Sequence, residues 1–306
     1  MLVAASLSGQ TKRLGKDLAD WKDTLNLQLP EEAAEFDKIV PSLLSVFDGA
    51  DILALGESHW NKLDSELRIR LVRHPDFAKK ARFIVVEFAS TAQQSVLDRY
   101  VVDGEEVPLS ELQQVWRNTT ITNGTWESPV YAEFFATVRE VNKRVTADKR
   151  IRILAGDPPT GSELSRDASA VSVLKEQVLD RGGKALVVYG SGHLQLQGIG
   201  GIAQDVQARH LGRIFVVDTL GGPYPEYEKF ERSLKSSMRP VLVSLRRSPF
   251  RDFSADQTIG RGTKKVVNGV WVDADPWRGL RLGQLADACV YWGINPNVET
   301  QVGPAR

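Results

Sequence analysis

Two similar tetrapeptides carry the residue types best suited to acid–base chemistry or metal binding. Gly-Glu-Ser-His occupies residues 56–59, and Gly-Ser-Gly-His occupies residues 190–193. Each follows a short apolar run of the kind that forms a buried strand. A glycine at the end of a strand lets the backbone turn sharply and presents the side chains that follow. We therefore expect His59 and His193 to lie at one active or ligand-binding site.

Carboxylates also follow apolar runs. Glu57 lies within the first tetrapeptide, Glu87 comes directly after residues 83–86, and Asp157 closes the run that begins at residue 151. In an open parallel sheet, ligands bind at the carboxyl ends of the strands, so these acids are expected beside the two histidines. A buried acid loses hydration unless a cation, a hydrogen-bond donor or a metal compensates for it.

Two imidazoles and several carboxylates form a mixed nitrogen and oxygen ligand set. His59, His193, Glu57, Glu87 and Asp157 are therefore the candidate ligands of a divalent ion such as Zn, Mn, Fe or Co. The same residues suit metal-free hydrolysis in which one histidine activates water. They also suit a non-haem iron oxidative enzyme, or a haem protein with a histidine as axial ligand. Neither a Gly-x-Ser-x-Gly elbow nor a Walker A motif is present, which argues against a serine α/β-hydrolase and a P-loop protein.

The elements that must position these residues alternate between strands and helices. Apolar runs predict strands at 51–55, 83–86, 151–154, 185–189, 213–217, 241–245 and 287–292, and helical patterns lie between them, at 61–72, 91–101, 129–144 and 202–211. This order indicates an α/β fold with a mainly parallel central sheet and helices on both faces. We expect one domain over residues 1–306.

Three segments depart from the alternation. Residues 1–50 predict an N-terminal helical segment, in which Pro41 separates two helices. Residues 102–128 predict a helical, lid-like insertion. Residues 265–272 predict a C-terminal β-hairpin with a type I′ turn at Asn268-Gly269.

Three tryptophans could line a substrate pocket. Trp60 adjoins His59, and Trp116 and Trp126 lie in the lid-like insertion. Ligand pockets are rich in aromatic side chains, so all three are candidate substrate-binding residues. Ordinary packing in the core is the alternative for each of them.

The whole chain restricts the classes of partner. Lys plus Arg and Asp plus Glu both number 39, and no basic face is concentrated in the sequence, so nucleic acid is excluded as a partner. No run approaches the ~20 apolar residues of a membrane span. Cys289 is the single cysteine, so an intrachain disulfide cannot form, which fits a cytoplasmic location. Because residues 1–9 are small and mildly apolar, an exported protein with a trimmed signal peptide is the alternative.

The paired Gly-x-x-His motifs, with Glu87 between them, resemble the TIKI, erythromycin esterase and ChaN superfamily. The first motif is similar to the Gly-Glu-x-His of the ChaN-like branch. Trp116-Arg117-Asn118 is loosely similar to a Trp-x-Arg segment of the esterases, and residues 285–293 are similar to the last strand of many members. The resemblance spans residues 50–220 and 285–293.

This resemblance implies an α/β fold whose two histidines and acids share one site. In the superfamily such a site serves metal-dependent proteolysis, macrolactone ester hydrolysis or haem binding. Carried over by position, the resemblance implies that Glu57, His59, Glu87 and His193 are functional, with Arg117 as an anion or oxyanion stabiliser. We therefore expect a metal-assisted hydrolase that acts on an ester, lactone or amide in a small molecule or peptide. A haem-binding protein of the ChaN type is the alternative.

Overall fold

The computed structural model describes residues 21–25, 28–221, 227–258, 263–267, 270–274, 277–294 and 303. Its strands are Glu32–Ala34 (β1), Ile52–Glu57 (β2), Phe83–Ser90 (β3), Arg152–Asp157 (β4), Ala185–Gly190 (β5), Ile214–Leu220 (β6), Val241–Ser244 (β7), Thr263–Val267 (β8), Val270–Ala274 (β9) and Ala288–Tyr291 (β10). Eight of them form an open sheet in the order β1-β7-β10-β6-β2-β5-β3-β4.

The sheet is mainly parallel, as the alternating pattern predicts. Strands β10, β6, β2, β5, β3 and β4 run parallel to their neighbours in that order, whereas β7 is antiparallel to β1 and β10. The carboxyl ends of β2, β5, β3 and β4 are therefore adjacent at one edge. These are the strands that carry the predicted site residues.

The α-helices are Phe36–Ser45 (α1), Lys62–Arg73 (α2), Phe77–Lys80 (α3), Gln94–Asp98 (α4), Leu109–Leu112 (α5), Gln114–Arg117 (α6), Pro129–Asn142 (α7), Arg166–Val173 (α8), Ser191–Leu194 (α9), Ile202–Ala208 (α10), Tyr227–Ser233 (α11), Ala255–Thr258 (α12) and Leu282–Leu285 (α13). Helices α1, α2 and α7 pack in one apolar cluster, and α8, α10 and α11 pack in another. Successive side chains of β2 enter the two clusters in turn, because strand side chains alternate between the faces of a sheet. Helices therefore cover both faces.

The N-terminal segment corrects two expectations. Residues 32–34 form an edge strand paired with β7, with Ala33 opposite Leu242, and are not helical. This pairing joins residues about 200 positions apart, so local pattern could not show it. Pro41 also lies inside α1 and does not separate two helices. The buried face of α1, which includes Ile39, Val40 and Leu43, outweighs the one hydrogen bond that proline removes.

The lid-like insertion is partly helical, with α5, α6 and a single 3₁₀ turn at Thr125–Glu127. Strands β8 and β9 form the predicted antiparallel C-terminal hairpin, but its Asn268-Gly269 turn lies outside the described residues. In the part of the chain that the structure describes, no helix is long and apolar enough to span a membrane.

Candidate functional site

The first half of the site is a carboxylate–imidazole pair at the end of β2. Glu57 is the last residue of β2 and is buried, and its Oε1 lies 3.1 Å from Nδ1 of His59. The same oxygen accepts the Tyr131 hydroxyl at 3.0 Å, and Oε2 accepts a hydrogen bond from Arg68. Burial raises the pKa of Glu57, but the Arg68 charge and the bonds from His59 and Tyr131 together leave it below its usual value. Glu57 is therefore ionised at neutral pH.

The environment of His59 follows from this partner. Burial lowers the pKa of the imidazole, whereas the hydrogen bond and charge of Glu57, with the charge of Glu87, raise it above its usual value. The imidazole lies edge-on to Trp126, with the ring centroids 4.8 Å apart. With Nδ1 donating to Glu57, Nε2 of the neutral imidazole is left as the proton acceptor.

The second half of the site is built on Glu87. The apolar run predicts that Glu87 comes directly after a strand that ends at residue 86. Strand β3 instead continues to Ser90, so Glu87 lies inside the strand. The register between β3 and β4 shifts between Val86 and Ser90, and such a bulge can redirect a side chain. Glu87 is fully buried; its Oε2 accepts from the backbone N of Gly190 at 2.7 Å, and its Oε1 accepts from Nη1 of Arg166 at 2.6 Å.

His193 lies between two carboxylates. Its Nδ1 is 2.5 Å from Oδ1 of Asp167, and its Nε2 is 3.5 Å from Oε1 of Glu87. Burial lowers the pKa of His193, but the hydrogen bond to Asp167 and the charges of Glu87 and Asp167 raise it above its usual value. This environment favours the imidazolium form.

The two tetrapeptides meet because their glycines allow a close approach. Glu57 is paired with Gly190 in the β2–β5 register. A Cβ atom at Gly190 would lie 3.1 Å from Cε1 of His59 and 3.3 Å from Oε2 of Glu87. A Cβ atom at Gly56 would lie 2.5 Å from the Ser191 hydroxyl oxygen. A side chain at Gly190 would therefore crowd His59 and Glu87, and one at Gly56 would push Ser191 away from β2.

Asp157 joins the same edge from β4. Its Oδ2 accepts from the backbone N of Thr120 at 2.6 Å and from the Thr120 hydroxyl at 2.8 Å. Its Oδ1 lies 4.0 Å from Nε of Arg166 and has no hydrogen-bond partner among the described residues. Burial raises the pKa of Asp157 to about 6, although the Thr120 bonds and the Arg166 charge act in the opposite direction. Asp157 thus ties the lid-like insertion to the sheet edge.

Arg117 makes a different contact from the one expected of an oxyanion stabiliser. It is ion-paired with Glu127 within the lid-like insertion, and among the described residues it forms no hydrogen bond or ion pair with either histidine. Trp116 donates to the same Glu127 carboxylate at 3.2 Å. Both line a cavity of about 310 Å³, together with Ile121, Thr122, Gly124, Trp126 and Glu127. Of the three candidate tryptophans, Trp126 contacts His59 directly, and Trp60 donates from Nε1 to the backbone O of Thr125 at 2.6 Å.

Sequence reasoning missed the cations that hold the buried carboxylates. Arg68 binds Glu57, and Arg166 binds Glu87. It also missed Asp167, the partner of His193. Burial of Glu87 implied a compensating partner, but nothing in the local sequence shows which of 39 cationic residues supplies it.

The predicted divalent metal does not fit this arrangement. Glu57 and Glu87 are already bound by arginine, and Asp157 accepts two hydrogen bonds from Thr120. Within the described ranges, no three or more His, Cys, Asp or Glu side chains form a group that could hold a metal ion. A cation placed among these carboxylates would also face the guanidinium of Arg166.

A further buried carboxyl, that of Asp64, lies behind the His59 turn. Its Oδ2 accepts from the backbone N of Ser58 at 2.7 Å, and its Oδ1 accepts from Nε1 of Trp292 at 2.7 Å. Burial raises the pKa of Asp64 to about 7, against the lowering effect of the Ser58 N–H. Asp64 therefore holds the backbone of Ser58, next to His59. Because Asp64 is buried, its ionisation lowers the stability of the folded protein.

Asp64→Asn is expected to change how stability depends on pH. Between about pH 4 and pH 7 the unfolded chain has lost the Asp64 proton while the folded chain retains it, so this group lowers the free energy of unfolding as pH rises. The free energy of unfolding of Asp64→Asn minus that of the unaltered protein should therefore increase over this range. Urea unfolding at several pH values measures it, with Asp252→Asn, an exposed carboxyl, as control. A constant difference between pH 4 and pH 7 would contradict the raised pKa.

The fold of the chain is similar to that of proteins with known structures. No family model matches the chain, and no curated protein sequence matches it significantly. It is similar to the crystal structure of a Bacillus cereus protein, with a TM-score of 0.56, 12% identity, and coverage of 90% of this chain and 97% of that one. A mutant of the erythromycin esterase EreC in its open conformation has a TM-score of 0.51 and 11% identity, with coverage of 85% and 94%.

A more distant match is the haem-binding ChaN of Campylobacter jejuni, with a TM-score of 0.43 and 16% identity, over 60% of this chain and 86% of that one. The likeness to the Bacillus protein and to EreC concerns the fold alone. The chain therefore has the α/β fold of the erythromycin esterases, as the resemblance of its paired motifs to the TIKI, erythromycin esterase and ChaN superfamily predicts.

Proposed function

We propose that the protein is a hydrolase of a carboxylic ester, lactone or amide in which His59 activates water. The observation that carries this proposal is the Glu57–His59 pair, because its carboxylate is fixed by both Arg68 and Tyr131. A buried, ionised acid on Nδ1 of a histidine is the arrangement that orients a general base. EreC, which has the same fold, is named as an esterase, and this supports the choice of reaction class.

His59 takes the proton of the attacking water at Nε2. Glu57 keeps the other ring proton on Nδ1 and stabilises the imidazolium that forms as water adds to the carbonyl carbon. Because Arg68 binds Oε2 and the Tyr131 hydroxyl also donates to Oε1, Glu57 need not move during the reaction. Collapse of the tetrahedral adduct then needs a proton for the leaving group.

His193 supplies a hydrogen-bond donor for the developing oxyanion or the leaving group. Its position between Asp167 and Glu87 favours the imidazolium, which donates at both ring nitrogens. Arg166 fixes Glu87 through Oε1, and the Gly190 backbone N–H binds Oε2. Arg166 is thus the arginine that contacts Glu87 in this half of the site, whereas Arg117 is paired with Glu127.

The pH dependence of hydrolysis tests the role of Glu57. Activity is expected to rise as His59 loses its proton, through an apparent pKa above that of an ordinary imidazole. Glu57→Gln removes the negative charge, so this acidic limb should move to lower pH while the rate falls about 10²–10⁴-fold. The measurement is kcat/KM against pH for aryl esters, lactones and aryl amides after treatment with a chelator.

Glu140→Gln, which alters an exposed carboxylate on α7, is the matched control and should leave the profile unchanged. A limb that stays in place in Glu57→Gln would contradict the assignment of His59 as the base. Activity that returns only when a divalent ion is added would favour the metal-dependent alternative. A Soret band on titration with haem, lost in His59→Ala or His193→Ala and without hydrolysis, would favour the haem-binding alternative.

A further inference from the structure

The side chains of the site are layered by charge. The exposed fractions of the nitrogen-bearing side chains are 33% for His59, 28% for Arg166 and 27% for His193. Those of the carboxylates beneath them are 3% for Glu57 and 0% for Glu87. A molecule that enters the site therefore meets nitrogen-bearing side chains first, of which Arg166 carries a permanent positive charge, and the carboxylates lie beneath them.

Two further acids lie at the site, and neither presents a free carboxylate oxygen to an entering molecule. Asp157 is fully buried. Asp167 is 25% exposed, but its Oδ1 lies 2.5 Å from Nδ1 of His193 and its Oδ2 accepts from the backbone N of Gly201 at 3.1 Å. Both oxygens of the one accessible carboxylate are thus engaged by donors.

Arg166 is the fixed charge of this surface. It opens helix α8, directly after the Ser165 N-cap, and its Nη1 binds Glu87. Its Nε is 4.0 Å from Asp157, beyond hydrogen-bond distance, and Nη2 has no hydrogen-bond partner among the residues that the structure describes. A guanidinium has five donors and binds a carboxylate or phosphate through two of them. Arg166 can therefore hold Glu87 and still receive a second anion.

We propose that Arg166 binds a negatively charged group of the substrate, so that the hydrolysed ester carries a carboxylate or phosphate near its scissile bond. This inference rests on the proposed function and names its substrate class. The anionic group lies on the exposed side of Arg166, and the carbonyl lies toward His59 and His193. Arg166 is a binding residue for the anion and a positioning residue for Glu87.

Matched esters test the proposal. The substrates are 4-nitrophenyl acetate, which is neutral, the mono-4-nitrophenyl ester of succinic acid, and an aryl ester with a phosphate in place of the succinate carboxylate. The protein is expected to hydrolyse an anionic ester with a kcat/KM at least tenfold above that of the acetate, mainly through a lower KM. The preference should fall as ionic strength rises. The anionic ester with the higher kcat/KM shows whether the site prefers a carboxylate or a phosphate.

Arg166→Gln should abolish the preference and Arg166→Lys should keep part of it, because lysine retains the charge but not the paired donors. Since loss of Arg166 also releases Glu87, the readout is the ratio between esters and not the absolute rate. Arg232→Gln, which removes an exposed arginine on α11, is the control and should leave the ratio unchanged.

The outcomes separate this inference from the proposed function. Equal kcat/KM values for neutral and anionic esters in the unaltered protein would overturn the anion site while hydrolysis stands. If no ester is hydrolysed, calorimetry with succinate or inorganic phosphate decides. Binding that is lost in Arg166→Gln would support the anion site and reject the hydrolase, and no binding would reject both.

Discussion

Replacing His59 by asparagine is expected to lower kcat/KM for ester hydrolysis by about 10²–10⁴-fold, the usual contribution of a general base. The asparagine amide can still donate to Glu57, so the buried carboxylate keeps a partner. It has no basic nitrogen to take the proton of water. The loss should therefore appear in kcat, with the folded structure and the free energy of unfolding nearly unchanged.

His74→Asn is the matched control for this experiment. Its imidazole is about as exposed as that of His59, but it lies at the end of α2 and accepts a hydrogen bond from the backbone N of Asp76. The control should keep full activity. His59→Asn protein that is folded and as active as the control would refute His59 as the base.

The double replacement of His59 and His193 shows whether the two histidines act in one step. Groups that act as a unit are strongly non-additive, so the double variant should lose about as much activity as the more damaged single variant. A loss equal to the product of the two single losses would instead indicate that the histidines contribute independently. The measurement is kcat/KM for the same aryl ester in all four proteins.

The paired motifs could be predicted because every signal they need is local. An apolar run, a glycine and a polar residue identify the end of a parallel strand, and adjacent strand ends bring His59, His193, Glu57, Glu87 and Asp157 to one edge. The resemblance of the motifs to a superfamily pointed to the same fold. These parts of the site follow from periodicity and topology.

The partners of those residues could not be predicted in the same way. Arg166 is 79 residues from Glu87, and Thr120 is 37 residues from Asp157. Such contacts depend on where α8 and the lid-like insertion lie against the sheet edge, which the hydrophobic pattern does not encode. The sequence predicts a metal site because it shows the carboxylates but not the groups that bind them, so these acids appear available as metal ligands.

Arg68→Met is expected to lower the free energy of unfolding by about 3–5 kcal/mol. This is the usual cost of removing one partner of a buried ion pair. Arg68 is buried among the rings of Phe88, Tyr131 and Phe134, with its guanidinium 5.2–5.4 Å from their centroids. Methionine fills this apolar space, but it leaves the Glu57 charge without its cation. The destabilisation should shrink as pH falls, because the depressed pKa of Glu57 gives stability that is present only while this carboxylate is ionised.

Arg70→Met is the control for Arg68→Met, since Arg70 lies on the same helix and forms an exposed pair with Glu66. An exposed pair of this kind contributes about 0–1 kcal/mol, so urea unfolding should separate the two variants clearly. The double variant Arg68→Met, Glu57→Gln should recover much of the loss, because it removes the uncompensated charge. If Arg68→Met costs no more than Arg70→Met at neutral pH, Glu57 is not held as a buried anion. His59 would then lack the ionised partner on which the proposed hydrolysis depends.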